Sequence, residues 1–292
     1  MIRGVDAHHH FWDTRRVPLP WLRPAHAAIA GPFTPDGLAP ELGPAGIDRT
    51  ILVQSANLAA DTDAMLEHAR RHAWIAAVVA WLPLREPEHT RERLAELAGE
   101  PKVRGVRHLI HDESDPHWIL RAPVLESIAF VADRELILEL PAVWPRHLGD
   151  VPELARSFPT MTIVIDHLGK PPLGRDGFQD WAHALAFAAA EPNVAAKVSG
   201  LNTATDKPDW SAADLEAPLQ VAVDAFGPER LLCGSDWPVS LLNNGDYERV
   251  WRETRRAVAA AAPEAQELLL AGTATRLYRL STPEEEVGDG AH

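Results

Sequence analysis

Eight short apolar runs alternate with longer segments of helical spacing, and this rhythm restricts the chain more than any single motif. The candidate strands are Val5–His10, Thr50–Ser55, Ala76–Leu82, Val103–Ile110, Leu136–Leu140, Thr162–His167, Val194–Gly200 and Leu231–Asp236. The segments between them, with apolar residues three and four apart, are Ala64–Ala73, Glu88–Leu97, Pro123–Arg134, Pro145–Phe158, Phe178–Glu191, Leu215–Phe226 and Tyr247–Ala262. Ser211, with Asp214 three residues on, is a capping-box start for the sixth of these. The first crossover, Pro32–Ile47, is rich in Pro and Gly and reads as only weakly helical. Eight β/α units over roughly 250 residues have the size of a (β/α)8 TIM barrel in one domain. A doubly wound open sheet is the alternative, but no G-x-G-x-x-G follows a strand. The expected domain is 1–281. The remainder, 282–292 (TPEEEVGDGAH from Thr282), is acidic and is expected to be a disordered tail.

A barrel of this kind places its chemistry at the C-terminal ends of the strands. The polar residues fall at those ends. The first strand carries His8 and His10, the second Gln54, and the fourth Arg107 and His108 with His111 beyond. The fifth carries Glu139, the sixth Asp166-His167, the seventh Lys197 and Ser199, and the eighth ends Gly234-Ser235-Asp236-Trp237. Strand alternation would put Asp6, His8 and His10 on one face and Ala7, His9 and Phe11 on the other. Two imidazoles two residues apart on one face can chelate one metal ion or grip one polar ligand. The His8-His9-His10 run lies inside an apolar strand pattern, which sets it apart from an affinity tag. Asp166, directly before His167, is expected to point away and be structural. Of Arg107, His108 and His111, one is expected to face a ligand, and the choice is open. Lys197 either contacts substrate or forms an internal ion pair with Glu139. Trp237 is a pocket wall or core. Gly169 and Lys170 mark a turn.

Composition excludes several function classes. A formal charge of −14 argues against nucleic acid as a partner. No apolar stretch approaches the roughly 20 residues of a membrane helix, and no signal peptide is read at the start. The single cysteine, Cys233, rules out an internal disulfide framework and fits a cytoplasmic protein. Cys233 reads as packing, since no motif supports a thiol mechanism.

His8-x-His10, DHLGKP (Asp166–Pro171) and CGSDWPV (Cys233–Val239) together resemble the amidohydrolase superfamily. WLPL (Trp81–Leu84), VRGVRHLI (Val103–Ile110) and KVSGL (Lys197–Leu201) are similar to its branch of sugar-acid lactone hydrolases, of the L-fuconolactonase and L-rhamnono-lactonase kind. The resemblance runs over about residues 4–280. It implies the same barrel, and an Asp-activated water that opens an aldono-1,4- or 1,5-lactone. It assigns Asp236 as the base and His167 as a second catalytic group. The implied metal ligands are His8, His10, His167 and Asp236. By their places at the strand ends, the candidate substrate-binding residues are Gln54, Arg107, His108, Glu139, Lys197 and Trp237. Binuclear members bridge two ions with a carboxylated lysine on a middle strand. Here that strand offers Glu139 and no lysine, so one divalent ion at most is expected. Zn²⁺ suits the ligand set best, with Mn²⁺ left open and the metal requirement undecided. The expected partner is a small-molecule lactone, with a homodimer left open as the assembly. Two rival readings are a metal-dependent decarboxylase of an aromatic acid on the same scaffold, and a barrel that binds a ligand without catalysis.

Overall fold

The computed structural model describes residues 3–281. The tail expectation for 282–292 therefore lies outside the described residues. Eight parallel strands, β1 (Gly4–His9), β2 (Ile47–Val53), β3 (Ile75–Trp81), β4 (Val103–Arg107), β5 (Ile137–Leu140), β6 (Ile163–Ile165), β7 (Val194–Val198) and β8 (Leu231–Cys233), pair in sequence order. The ring closes beyond the end of β8. Asp236 N donates to His8 O at 2.7 Å, and His10 N donates to Trp237 O at 2.7 Å. Helices α1 (Pro35–Ala45), α2 (Ala59–Arg71), α3 (Pro87–Glu96), α4 (Ala122–Asp133), α5 (Val151–Ser157), α6 (Phe178–Ala189), α7 (Ala212–Phe226) and α8 (Tyr247–Ala261) form the outer layer, and a short α9 (Thr273–Leu277) follows. This is the (β/α)8 barrel read from the alternation.

Two layers of apolar side chains make the core. Inside the barrel, Val5, Ala7, Ile51, Val79, Val164 and Leu232 interdigitate, and Tyr278 after α9 packs against them. Outside it, the inward faces of the helices pack on the outward residues of the strands. Each buried Leu, Ile or Val contributes roughly 1.5–3 kcal/mol relative to exposure.

Three local expectations are corrected. The first crossover holds a full helix, α1, in spite of Pro40 and Pro44. Pro35 enters at the first turn, where its missing N–H costs nothing, and Gly46 (φ +69°) closes the end in the left-handed conformation. Burial of Leu38 and Leu42 outweighs the poor propensity between. The helix expected over Pro145–Phe158 forms only as α5, preceded by a 3₁₀ turn at Leu148–Asp150. Finally, β1 does not keep strict alternation. Asp6 pairs with Thr50 but His9 pairs with Leu52, so β1 spends three steps where β2 spends two. This is a β-bulge, a device that re-aims side chains.

Candidate active site

The bulge decides which side chains of β1 enter the barrel. Before it, Val5 and Ala7 point inward and Asp6 outward; after it, His8 and His10 point inward. Asp6 therefore does not share a face with the two histidines, contrary to the regular-strand reading. It ties β1 to the segment after β8: its carboxylate accepts from Ser235 N (2.8 Å), Ser235 Oγ (2.6 Å) and the Tyr247 hydroxyl (2.9 Å). His9 faces the helical layer, bonded to Thr50 Oγ1 at 2.8 Å. Gly234 is required for this approach, because a Cβ there would stand 2.7 Å from His8 N.

The other two site residues leave their strands before reaching the mouth. β6 ends at Ile165, and His167, Leu168, Gly169 and Lys170 follow with φ of +54°, +51°, +70° and +56°. Asp236, beyond β8, has φ +57°. Left-handed backbone at an L-residue costs about 1–2 kcal/mol each. Such strain collects where side chains must be aimed. It turns both Asp166 and His167 into the barrel, so Asp166 is a site residue that the regular-strand assumption missed. The glycine in DHLGKP was the available signal for a left-handed turn.

Four ligating atoms converge. His8 Nε2 lies 3.2 Å from His10 Nε2 and 3.7 Å from Asp236 Oδ1. His10 Nε2 is 3.5 Å and His167 Nε2 4.0 Å from the same Oδ1. The remaining nitrogens fix the tautomers. His10 Nδ1 faces Val53 O at 2.8 Å, and His167 Nδ1 faces Ser199 O at 3.2 Å and Ser199 Oγ at 2.9 Å. A carbonyl can only accept, so each Nδ1 carries the proton and each Nε2 presents a lone pair. His8 Nδ1 lies 3.3 Å from Asp166 Oδ1 and 3.1 Å from Lys197 Nζ.

The electrostatics favour neutral imidazoles beside ionised carboxylates. Burial and the nearby Lys197 ammonium push His8 well below the ordinary histidine value, and burial lowers His167 to about 4. Burial alone would raise Asp236, but the electrostatic influence of His167 and of the adjoining His10 and His8 outweighs it and holds the carboxyl well below its usual range. Asp166 is held low in the same way, by Arg107, His8 and Lys197 against burial. Neutral imidazole lone pairs facing a carboxylate oxygen repel one another unless a cation stands between them. A tetrahedral ion with ligands at about 2.0–2.1 Å needs donors roughly 3.4 Å apart. His8, His10 and Asp236, with donor atoms 3.2–3.7 Å apart, fit such a set and suit one divalent ion; His167 Nε2, 4.0 Å from Asp236, stands at its edge and groups with His8 and Asp166 instead.

Beneath the cluster lies a buried polar floor. Lys197 Nζ is 2.6 Å from Glu139, whose carboxylate also accepts from the Tyr278 hydroxyl. Arg107 Nε donates to Asp166 at 2.7 Å, and its Nη1 donates to Gln54 O and Oε1, both at 3.1 Å. Above the cluster opens a cavity of about 390 Å³, whose wall includes His10, Arg107, His111, His167, Lys170 and Asp236.

The substrate-contact expectations sort by position. Arg107 and His111 both line the cavity. His108 turns away, stacked on Trp118 at 4.4 Å between ring centroids and accepting from Trp81 Nε1 at 3.2 Å. Gln54 lies behind Arg107 and braces it. Glu139 and Lys197 pair under the floor, fully buried and off the cavity wall. Trp237 packs between Phe11 and Phe33 in the apolar core, centroids at 5.8 and 5.3 Å. Trp21, Arg23 and His26, on the loop after β1, also line the cavity. They carry no periodic signal in the sequence and were not singled out there. No helix among the described residues is long and apolar enough to cross a membrane.

A sequence model of the amidohydrolase family matches residues 5–280, nearly all of the described barrel. The chain belongs to the amidohydrolase family. An L-fucono-1,5-lactonase of Burkholderia ambifaria is 37% identical over 284 residues, which cover 96% of this chain and 96% of the relative. An L-fucono-1,5-lactonase of Burkholderia multivorans is 36% identical over 295 residues, covering 96% and 97%. The crystal structure of an amidohydrolase from Burkholderia multivorans with bound zinc superposes with a TM-score of 0.88. It has 35% identity and covers 96% of this chain and 100% of that one. As an amidohydrolase, the protein carries its first-strand histidine pair on a bulge and its base candidate on a left-handed turn.

Proposed function

We propose that this amidohydrolase opens a sugar-acid lactone by hydrolysis, with Asp236 as the general base. The observation that carries the reading is the convergence of His8, His10, His167 and Asp236 at the floor of one cavity. The similarity to two L-fucono-1,5-lactonases over nearly the whole chain supports the substrate class.

The reaction joins a water oxygen to the lactone carbonyl carbon and breaks the ring C–O bond. Asp236, ionised by its surroundings and beside the neutral imidazoles, takes a proton from the attacking water. It then returns the proton to the departing ring oxygen, and the hydroxy acid leaves as its carboxylate. His8, His10, His167 and Asp236 would hold one divalent ion, zinc by analogy with the zinc-bound relative. Bound there, the ion supplies Lewis-acid polarisation of the carbonyl. Arg107, fixed by Asp166 and Gln54, presents the rest of its guanidinium to the cavity and can orient ring hydroxyls. Ser199 and Val53 keep the imidazoles in register through Nδ1. A buried, free Cys233 supports a cytoplasmic setting.

The test is incubation of purified protein with a panel of aldono-1,4- and 1,5-lactones, L-fucono-1,5-lactone included, in weak buffer with a pH indicator. A parallel arm follows 2,6-dihydroxybenzoate by its absorbance. Acid release with a lactone supports the reading. Loss of the aromatic acid without any lactone turnover would replace it with decarboxylation.

A further inference from the structure

The charge on the cavity wall is opposite to the charge of the protein. The chain as a whole carries −14. The cavity is lined by Arg23, Arg107 and Lys170, and Asp236 is the one carboxylate on its wall among the described residues. Arg107 is spoken for by Asp166 at 2.7 Å. Arg23 and Lys170 differ: both are exposed, and neither side chain forms an ion pair among the described residues.

Unpaired cations are common on surfaces, where they are simply solvated. These two border one concavity, and they come from different loops of the barrel. Arg23 is on the loop after β1, and Lys170 ends the left-handed turn after β6 that also carries His167. Lys170 stands, in addition, at the join between the main cavity and an adjoining recess of about 290 Å³ walled by Trp144, Pro172 and Arg175. Low-dielectric walls focus the field of such charges onto a bound anion. A neutral lactone offers them only hydroxyls, whereas a carboxylate offers a charge-assisted hydrogen bond.

We propose that Arg23 and Lys170 form a carboxylate-recognition subsite at the mouth, which holds the acid group of a polyhydroxy acid. The inference rests on the lactone-hydrolase reading above and deepens it. The carboxylate has two sources: the group freed when the ring opens, or a second acid group on the lactone of a sugar dicarboxylic acid. The first makes the pair a product site, and the second makes it a determinant of substrate choice.

The experiment compares wild type with Lys170→Met, Lys170→Arg and the double variant Arg23→Met/Lys170→Met. Each is assayed with a neutral aldonolactone, with the monolactone of a sugar dicarboxylic acid, and with the open aldonate as inhibitor, at low and high salt. Loss of a charge-assisted contact costs about tenfold or more in affinity. The aldonate inhibition constant should therefore rise about tenfold in Lys170→Met and further in the double variant. Lys170→Arg should retain most of the affinity, and salt should weaken wild-type inhibition. If the acid group belongs to the substrate, wild-type kcat/KM favours the dicarboxylic lactone, and that preference disappears in the double variant. If it belongs only to the product, the inhibition constant alone moves. An inhibition constant and a substrate preference both unchanged in the double variant would overturn the proposal. If no lactone is opened at all, calorimetric binding of the aldonate still decides: Lys170-dependent binding keeps the subsite while the hydrolase reading falls, and binding indifferent to Lys170 removes both.

Discussion

The Asp236 carboxylate occupies the space that a side chain at position 200 would need. Gly200 has φ +62°, and a Cβ built there would stand 3.1 Å from Asp236 Cγ and 3.1 Å from His167 Nδ1. The backbone after β7 thus serves as the back wall for both groups, and only glycine combines the left-handed turn with that approach.

Gly200→Ala should therefore damage the site more than the fold. The added methyl must displace Asp236 or His167, and displacement of about 1 Å can cost on the order of 10²-fold in rate. The expected outcome is a fall of that size in kcat with a melting temperature lowered by only a few degrees. Unchanged kcat would mean that the carboxylate has room to move.

The Lys197–Glu139 pair makes a different prediction. Both side chains are fully buried; removing Lys197 leaves Glu139 without its cation, at a cost of roughly 3–5 kcal/mol, whereas removing Glu139 leaves Lys197 with Asp166 at 3.7 Å. Lys197→Met should lower stability in urea denaturation by an amount in this range, and Glu139→Gln by less, since Asp166 remains beside Lys197. The double change Lys197→Met/Glu139→Leu should recover part of the loss, since an apolar pair of similar volume carries no desolvation cost. Equal losses in single and double variants would show that the two do not act as a pair.

Cys233 should be chemically silent in the native protein. It is fully buried, and burial pushes its thiol up to about 12, so almost no thiolate exists at neutral pH. Ellman's reagent should titrate one thiol per chain in denaturant and close to none under native conditions. Rapid native labelling would contradict the burial.

Much of the fold was legible because strand and helix periods alternate cleanly, and the eight apolar runs map onto eight strands. The positions of His8, His10, His167 and Asp236 were legible because polar residues at strand ends stand out against apolar runs. What the period rules could not supply was the local departures from them. The bulge between Asp6 and His9 takes Asp6 off the histidine face. The left-handed turn after Ile165 brings Asp166 inward, although alternation sends it out. His108 and Trp237 have the chemistry of ligand contacts, but Trp118 and Phe33 draw their rings into packing. The mouth residues Trp21, Arg23 and His26 sit on a loop, where no periodicity marks which side chains face the cavity.

In the proposed reaction Asp236 takes the proton in lactone opening while sharing one divalent ion with His8, His10 and His167. The most direct test is a pH-indicator assay of wild type and Asp236→Asn on L-fucono-1,5-lactone, with metal content measured on the same samples. The amide keeps the shape but cannot act as a base at neutral pH. Wild type should carry about one zinc per chain. Asp236→Asn should lose at least roughly 10²–10⁴ in kcat and part or all of the metal, with its circular dichroism unchanged. Near wild-type turnover in Asp236→Asn would rule out Asp236 as the base.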